Sequence, residues 1–184
     1  MKILAPMRSV RQLTDLSKMC QAIIRPDFVV AELGCFYGES TVEFSKHARQ
    51  VYAIDPWEEG YIGGPDYSPG WRKDVPETMA EVELTFDAVT RGIRNIKKIR
   101  SRHEDAVSTF PNTSLDLVYC DAIHSEEATL AAIRLWTPKV KTGGYMAGHD
   151  YTIAFPGVVR AVQTSLRNQR LLLWGDGNWA YRIT

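Results

Sequence analysis

Val29-Val30-Ala31-Glu32-Leu33-Gly34-Cys35-Phe36-Tyr37-Gly38-Glu39-Ser40 decides how this chain is read. An apolar run rich in valine closes on an acid, two glycines frame a tight turn, and a polar, helix-compatible segment follows. Strand, glycine loop and helix start come in that order. Glycines at such a turn let the backbone take positive φ and let a ligand approach the main chain closely. The next apolar run, Val51-Tyr52-Ala53-Ile54-Asp55, also closes on an acid. Asp55 falls about 20 residues beyond the glycines, the offset at which nucleotide folds place a carboxylate for ribose hydroxyls.

Ahead of this unit, Val10, Leu13, Leu16, Met19 and Ile23 recur at helical spacing and predict an amphipathic helix over 9–24, so that 1–27 forms an N-terminal helical segment. Arg25-Pro26-Asp27 stops it. Strand 1 is expected at 28–33, a helix at 39–48 and strand 2 at 51–55. Met79, Val82, Phe86, Val89 and Ile93 share one face of a helix over 79–93, and a short strand follows at 96–100. Residues 115–121 read as a buried strand ending in Asp121, and Ser125-Glu126-Glu127 starts a helix. Gly143-Gly144 is expected in the loop before a strand at 145–149, with a helix at 158–166 after it. The chain closes with 171–174, the turn Gly175-Asp176-Gly177-Asn178 and 179–183, a hairpin pattern. Strands alternate with helices until that hairpin. The fold class is therefore α/β, one domain over 1–184, with a mostly parallel sheet and an antiparallel element at the end.

The connection at 56–77 is unusual. It carries Gly60, Gly63, Gly64 and Gly70, Pro56, Pro65, Pro69 and Pro76, and the aromatics Trp57, Tyr61, Tyr67 and Trp71. Loops this long in a compact domain are usually functional or disordered. Two readings stand: a lid with Trp57, Tyr61 or Trp71 packed on a ligand, or an oligomer contact or mobile loop.

Composition narrows the function. The chain has 184 residues, 22 basic and 22 acidic, with 45% hydrophobic and 24% charged, which is ordinary for a globular domain. A neutral balance argues against nucleic acid, whose enzymes usually carry a basic excess; the densest basic run, 91–102, reads as a solvated helix end. Cys20, Cys35 and Cys120 are too few and too scattered for a disulfide framework or a zinc motif, and fit a reducing cytoplasm. No continuous apolar leader and no membrane-length stretch is present. Asn112-Thr113-Ser114 matches a glycosylation sequon by chance on this reading.

Glu32 closing strand 1, Gly34 and Gly38 with three residues between them, and Asp55 closing strand 2 together resemble the cofactor site of class I S-adenosylmethionine (SAM)-dependent methyltransferases. That resemblance implies a Rossmann-like seven-stranded sheet with helices on both faces, and SAM as cofactor. It implies that Glu32, Gly34, Cys35, Phe36, Gly38 and Ser40 surround the methionine end and that Asp55 accepts from the ribose. It places His103, Glu104 and Asp105 beside the adenine, with Asp121 also bordering the cofactor.

Asp121-Ala122-Ile123-His124 and the run from Gly143 to Tyr151 resemble a small-molecule O-methyltransferase branch of methyltransferase family 24 type. That branch includes macrocin O-methyltransferase and cephalosporin hydroxylase-like proteins, with catechol O-methyltransferase more distant. Metal-dependent members hold a divalent ion with an acid after strand 4 and an acid–acid or acid–amide pair after strand 5. Asp121 matches the first ligand, and His149-Asp150 occupies the pair. Oxygen ligands suit Mg²⁺, whereas an imidazole shifts preference toward Mn²⁺, Fe²⁺ or Zn²⁺. Adjacent strand residues face opposite ways, so His149 and Asp150 can share an ion only if the strand has bent there. The competing reading makes Asp150 a cap and His149 a hydrogen-bonded core residue.

His124 sits three residues after Asp121, the offset of the base lysine in catechol O-methyltransferase. An imidazole titrates near neutrality, so His124 is the expected general base, with Asp121 beside it. The plainer reading is a loop histidine contacting Glu126 or Glu127. His47, near a helix end, reads as structural.

The expected function is methyl transfer from SAM to a hydroxyl of a small molecule, a sugar or secondary metabolite, with a Mg or Mn ion as possible aid. Nucleic-acid and membrane partners are not expected, and a homo-oligomer stays open. Rival readings are a non-catalytic SAM-binding protein, an NAD-dependent dehydrogenase and, more weakly, a hydroxylase with a redox-active iron. Against the dehydrogenase, the glycines follow G-x-x-x-G, not G-x-G-x-x-G, and Glu32 precedes them.

Overall fold

Strand β1 (Val29–Leu33) is buried on both faces, as the middle strand of a parallel sheet covered by helices must be. It pairs in parallel with β2 (Gln50–Asp55) on one side and β4 (Leu115–Cys120) on the other. Outside β2 lies β3 (Ile96–Arg100), and outside β4 lies β5 (Val140–Gly148), both parallel. Then β7 (Asn178–Arg182) runs antiparallel to β5, and β6 (Leu172–Trp174) antiparallel to β7. The order across the seven-stranded sheet is β3-β2-β1-β4-β5-β7-β6. These relations come from a computed structural model that describes residues 6–58, 78–166 and 168–184.

The two-residue period of the strands divides the core. Val30, Leu117, Tyr119 and Ala147 point to one face, under α1 (Val10–Ile23) and α2 (Glu39–Ser45). Ala31, Leu33, Val118 and Met146 point to the other, under α5 (Glu126–Trp136) and α6 (Pro156–Ser165). A smaller cluster joins Cys35, Tyr37, Ala53 and Trp57 to Met79, Val82 and Phe86 of α3 (Met79–Val89). Helix starts are set locally. Ser9 Oγ accepts from Gln12 N while Gln12 Oε1 accepts from Ser9 N, a reciprocal cap on α1. Ser125 Oγ accepts from Ala128 N at the start of α5.

Two sequence expectations need correction. Gly143-Gly144 lies inside β5, where the register against β4 shifts between Leu115 and Leu117, so the strand begins at Val140 and carries a bulge. Helix α3 stops at Val89, short of Ile93, and Gly92 follows with φ 81°. The charged stretch after β3 is a short helix, α4 (His103–Ala106).

Of the 56–77 connection, Trp57 is within the described residues and is 2% exposed. Its ring lies 4.8 Å from Phe86, and its Nε1 donates to Phe36 O at 3.1 Å. Trp57 is thus core, not a ligand platform. Tyr61, Tyr67 and Trp71 lie outside the described residues, as does the lid itself. The three cysteines are free and buried. Among the described residues no helix is long and apolar enough to cross a membrane.

Strand order reverses between β1 and β4, so their carboxyl ends open the crevice where such sheets bind ligands. Trp136, fully buried against Phe110 on the α5 side, holds that face of the core together. Its Nε1 has no hydrogen-bond partner. Trp136→Ala should cost about 3–5 kcal/mol in urea denaturation. Trp136→Phe should cost much less, because it also removes the unpaired N–H.

Candidate active site

The glycine loop is shaped by close approach. Gly34 has φ 85°, and a Cβ there would lie 2.2 Å from the Asp121 carbonyl oxygen. Gly34 N donates to Ile54 O, and Asp121 N to Leu33 O, so the exits of β1, β2 and β4 are laced together. Gly38, φ 84°, opens α2.

Asp55 sits beneath this loop rather than open to it. Its Oδ2 accepts from Cys35 N at 2.9 Å and Phe36 N at 3.1 Å, and its Oδ1 from Trp57 N at 2.8 Å. Burial raises its pKa while those three donors pull it back. A carboxylate has about four lone-pair sites, so about one remains for a ribose hydroxyl. Asp55→Ala would also unfasten the loop, and so does not by itself isolate a ribose contact. Glu32 is fully buried and takes the hydroxyls of Ser40 and Thr41, one on each oxygen. Glu32 and Ser40 therefore anchor α2 to β1, and neither is presented to the crevice. Burial pushes the Glu32 carboxyl up to about 7.

Of the trio expected beside the adenine, the structure buries one and exposes two, with His103 Nε2 3.3 Å from Glu104 Oε1. His103 is buried with its Nδ1 unpartnered, and burial lowers its pKa. With Leu33, Cys120, His124, Thr129 and His149 it lines a recess between the ends of β1 and β4 and helix α5. Glu104 and Asp105 are exposed on the outer side of α4.

The second cluster converges from four places in the chain. Asp121 and His124 follow β4, His149 and Asp150 follow β5, Asp176 lies in the β6–β7 turn, and Arg8 precedes α1. Chain direction changes where the pair required it: β5 ends at Gly148, and Asp150 has φ 60°. His124 Nε2 is 2.8 Å from Asp150 Oδ2 and 3.6 Å from Asp121 Oδ1. His149 Nδ1 is 3.1 Å from Asp150 Oδ1 and 3.8 Å from Asp121 Oδ1, while its Nε2 is 3.1 Å from Asp176 Oδ2. The Arg8 guanidinium pairs with Asp121 Oδ2. Trp179 Nε1 donates to His149 O, and Phe155 packs its ring 4.8 Å from that of His124.

Burial alone would lower the pKa of His124, but Asp121 and Asp150 overcome it and raise the ring to about 10. His149 is raised against burial by Asp121 and Asp150 in the same way. Burial opposes ionisation of both acids, yet Asp121 is lowered by Arg8 and His149, and Asp150 is held well below the usual carboxylate range by His124 and His149. An imidazole near 10 holds its proton at neutral pH, so the metal-free protein does not offer His124 as a resting general base.

The donor set does fit a divalent ion. Ligand atoms of Asp121, His124 and Asp150 lie within 4.8 Å of one another. His124 Nε2, though close to Asp150, is a buried nitrogen with no aligned hydrogen-bond partner. His124 is the third candidate ligand of this set; His149, expected in that role, keeps Nε2 on Asp176 and Nδ1 beside Asp150 and Asp121. Contacts from His124 to Glu126 or Glu127 are replaced by these carboxylates, and Glu126 pairs with Arg160. His47 pairs with Glu43, a structural role as expected. Sequence reading missed Arg8, Asp176 and Phe155. Asp176 was visible only as a turn residue, and Arg8 sits beside a helix cap with no periodicity to mark it.

A family model described as a methyltransferase domain, Methyltransf_24, matches residues 31–151, well over half of the chain. The chain belongs to this methyltransferase family. Among solved structures it resembles the O-methyltransferase NovP, with a TM-score of 0.67 at 18% identity over 97% of this chain and 82% of that one. It also resembles CalS11, a TDP-rhamnose 3′-O-methyltransferase of calicheamicin biosynthesis (TM-score 0.64, 16% identity, 95% and 81% covered). A third is a Streptococcus mutans protein solved with S-adenosylhomocysteine (SAH), at TM-score 0.61, 14% identity, and 96% and 97% covered. These likenesses establish the Rossmann-like methyltransferase fold.

Glu32 makes a pH prediction. Its folded pKa of about 7 exceeds the ordinary 4.5, so the folded state binds more protons between those values and stability falls as pH rises across that window. The loss attributable to Glu32 is about 3 kcal/mol at 1.36 kcal/mol per pKa unit. His124 acts in a separate window: its contribution is complete below about 6.5 and is lost as pH rises toward 10. Urea midpoints between pH 5 and 7 should therefore fall more for the wild type than for Glu32→Gln. Equal slopes would show that Glu32 does not carry this proton.

Proposed function

We propose that this protein is a SAM-dependent O-methyltransferase acting on a hydroxyl of a small molecule, a sugar or secondary metabolite. In this reading a divalent ion is held by Asp121, His124 and Asp150. The observation that carries it is the half-buried carboxylate–imidazole cluster at the switch point of the sheet, next to the glycine loop. The family assignment and the O-methyltransferase neighbours support the reading. The three free, buried cysteines are in keeping with a cytoplasmic setting.

The cofactor, when bound, supplies an electrophilic methyl on a sulfonium that is already a leaving group, and the protein's task is alignment, exclusion of water and management of one proton. The glycine loop, fastened by Asp55, offers main chain against which the cofactor's amino-acid end can lie. His103 borders the adenine side of the recess. A divalent ion held by the two acids and His124 would lower the pKa of an acceptor hydroxyl as a Lewis acid. His149, tied to Asp176, steadies Asp150 from the other side.

One observation favours a second reading, a non-catalytic SAM-binding protein. Without an ion, Asp121, Asp150 and Asp176 face Arg8, His124 and His149, three acids against three basic groups, already paired.

Calorimetry with SAM and SAH, with and without Mg²⁺ or Mn²⁺, separates these. Micromolar binding of SAH is expected, together with Mn²⁺ binding that Asp150→Asn and His124→Gln abolish. Because an ion must displace the His124 proton, Mn²⁺ affinity should rise about tenfold per pH unit between pH 6 and 8. Binding of SAH without any metal binding, and with no methyl transfer to hydroxylated acceptors, would favour the second reading. No heat with SAH, and heat with NADH, would overturn both.

A further inference from the structure

The segment ahead of α1 is fixed at both ends. Met7 N and Arg8 N both donate to Glu39 Oε2 at 3.1 Å, on the first residue of α2. Met7 packs on the cluster that holds Cys35, Tyr37 and Trp57. Ser9, the next residue, caps α1. Residues 7–9 thus strap across the glycine loop, and the Arg8 side chain runs inward, 6% exposed.

What Arg8 does there is not explained by Asp121 alone. A buried guanidinium is costly to desolvate, and such groups are seated where planar two-bond recognition of a carboxylate is required. Its bond to Asp121 runs from one nitrogen, Nη2, to one oxygen, Oδ2, half of the fork a guanidinium can form. Among the described residues, Glu32, Glu39, Asp55 and Asp121 set carboxylates on the loop and its flanks. A ligand that lays an amino-acid end on this loop brings an α-carboxylate among these acids, where Arg8 offers a buried guanidinium.

We propose that Arg8 receives the α-carboxylate of the cofactor's amino-acid end, with the 7–9 strap closing that end of the site. This rests on the SAM reading above. Arg8 keeps one edge toward Asp121 and turns its remaining donors to the ligand. The same pairing leaves Asp121 Oδ1 facing His124 and His149.

The test is calorimetry on the full chain with SAH and with decarboxylated SAH, which keeps the amine and lacks the α-carboxylate. Wild type should bind SAH at least about tenfold more tightly than the decarboxylated analogue, the discrimination expected of a charge-assisted contact. Arg8→Met should weaken SAH by about 10- to 100-fold, leave the analogue's affinity near that of wild type, and so erase the preference; Arg8→Lys should restore part of it. Equal binding of both ligands by wild type would overturn the proposal without any variant, which covers the case of a variant that fails to fold. An unchanged preference in folded Arg8→Met would overturn it too. If wild type gives no heat with SAH at all, the SAM reading itself fails.

Discussion

Three backbone N–H groups converge on one carboxylate, that of Asp55, and the shape of the crevice depends on that clamp. Cys35 and Phe36 lie in the glycine loop, and Trp57 begins the connection after β2. Joining them to a single side chain fixes the loop against the end of β2 while Gly34 passes within touching distance of the Asp121 carbonyl. A loop held at both flanks exposes its main chain in one arrangement before any ligand arrives, which limits the ordering a ligand must impose. Glu32 does the corresponding work one strand over, by taking the two hydroxyls at the start of α2.

By position alone both acids read as ligand-facing groups. Strand-end acids at these offsets carry two possible duties, contact with a ribose or support of the loop that contacts it, and a sequence encodes the offset alone. Orientation is decided by what fills the space beneath the loop. Here the backbone N–H groups of Cys35, Phe36 and Trp57 hold the Asp55 carboxylate inward, and the hydroxyls of the first turn of α2 hold that of Glu32, so support dominates. Architecture was far more legible. The apolar runs closing on Glu32, Asp55 and Asp121, the helical spacing from Val10 to Ile23 and the hairpin turn at 175–178 are local patterns whose physics is complete within a few residues. The bulge at Gly143-Gly144 was not, because it answers to the register of β4.

The acid–imidazole cluster shows the same division. Asp121, His124, His149 and Asp150 were each visible as chemistry-bearing residues at the carboxyl edge. Which imidazole joins Asp121 and Asp150 depends on Asp176, brought in by the terminal hairpin from far along the chain, and on Trp179 fixing the His149 carbonyl. Once Asp176 engages His149 Nε2, His124 becomes the ring whose buried nitrogen lacks an aligned partner. The spacing that suggested a base after Asp121 was sound as placement. Its protonation state follows from two acids that only the fold brings together.

Charge balance then constrains what can enter. Arg8 keeps its charge throughout the accessible pH range, whereas the two imidazoles can give theirs up. A divalent cation held by Asp121, His124 and Asp150 would replace the His124 proton with a small net gain of positive charge, while Arg8 stays as a fixed charge beside Asp121. That leaves two regions of unlike character a few residues apart: an adjustable one between Asp121 and Asp150, suited to a cation, and a permanent one at Arg8, suited to a carboxylate. A cofactor with an α-carboxylate at one end and its reacting centre at the other could be oriented across such a gradient, with the methyl group directed toward the end where a hydroxyl proton can be released.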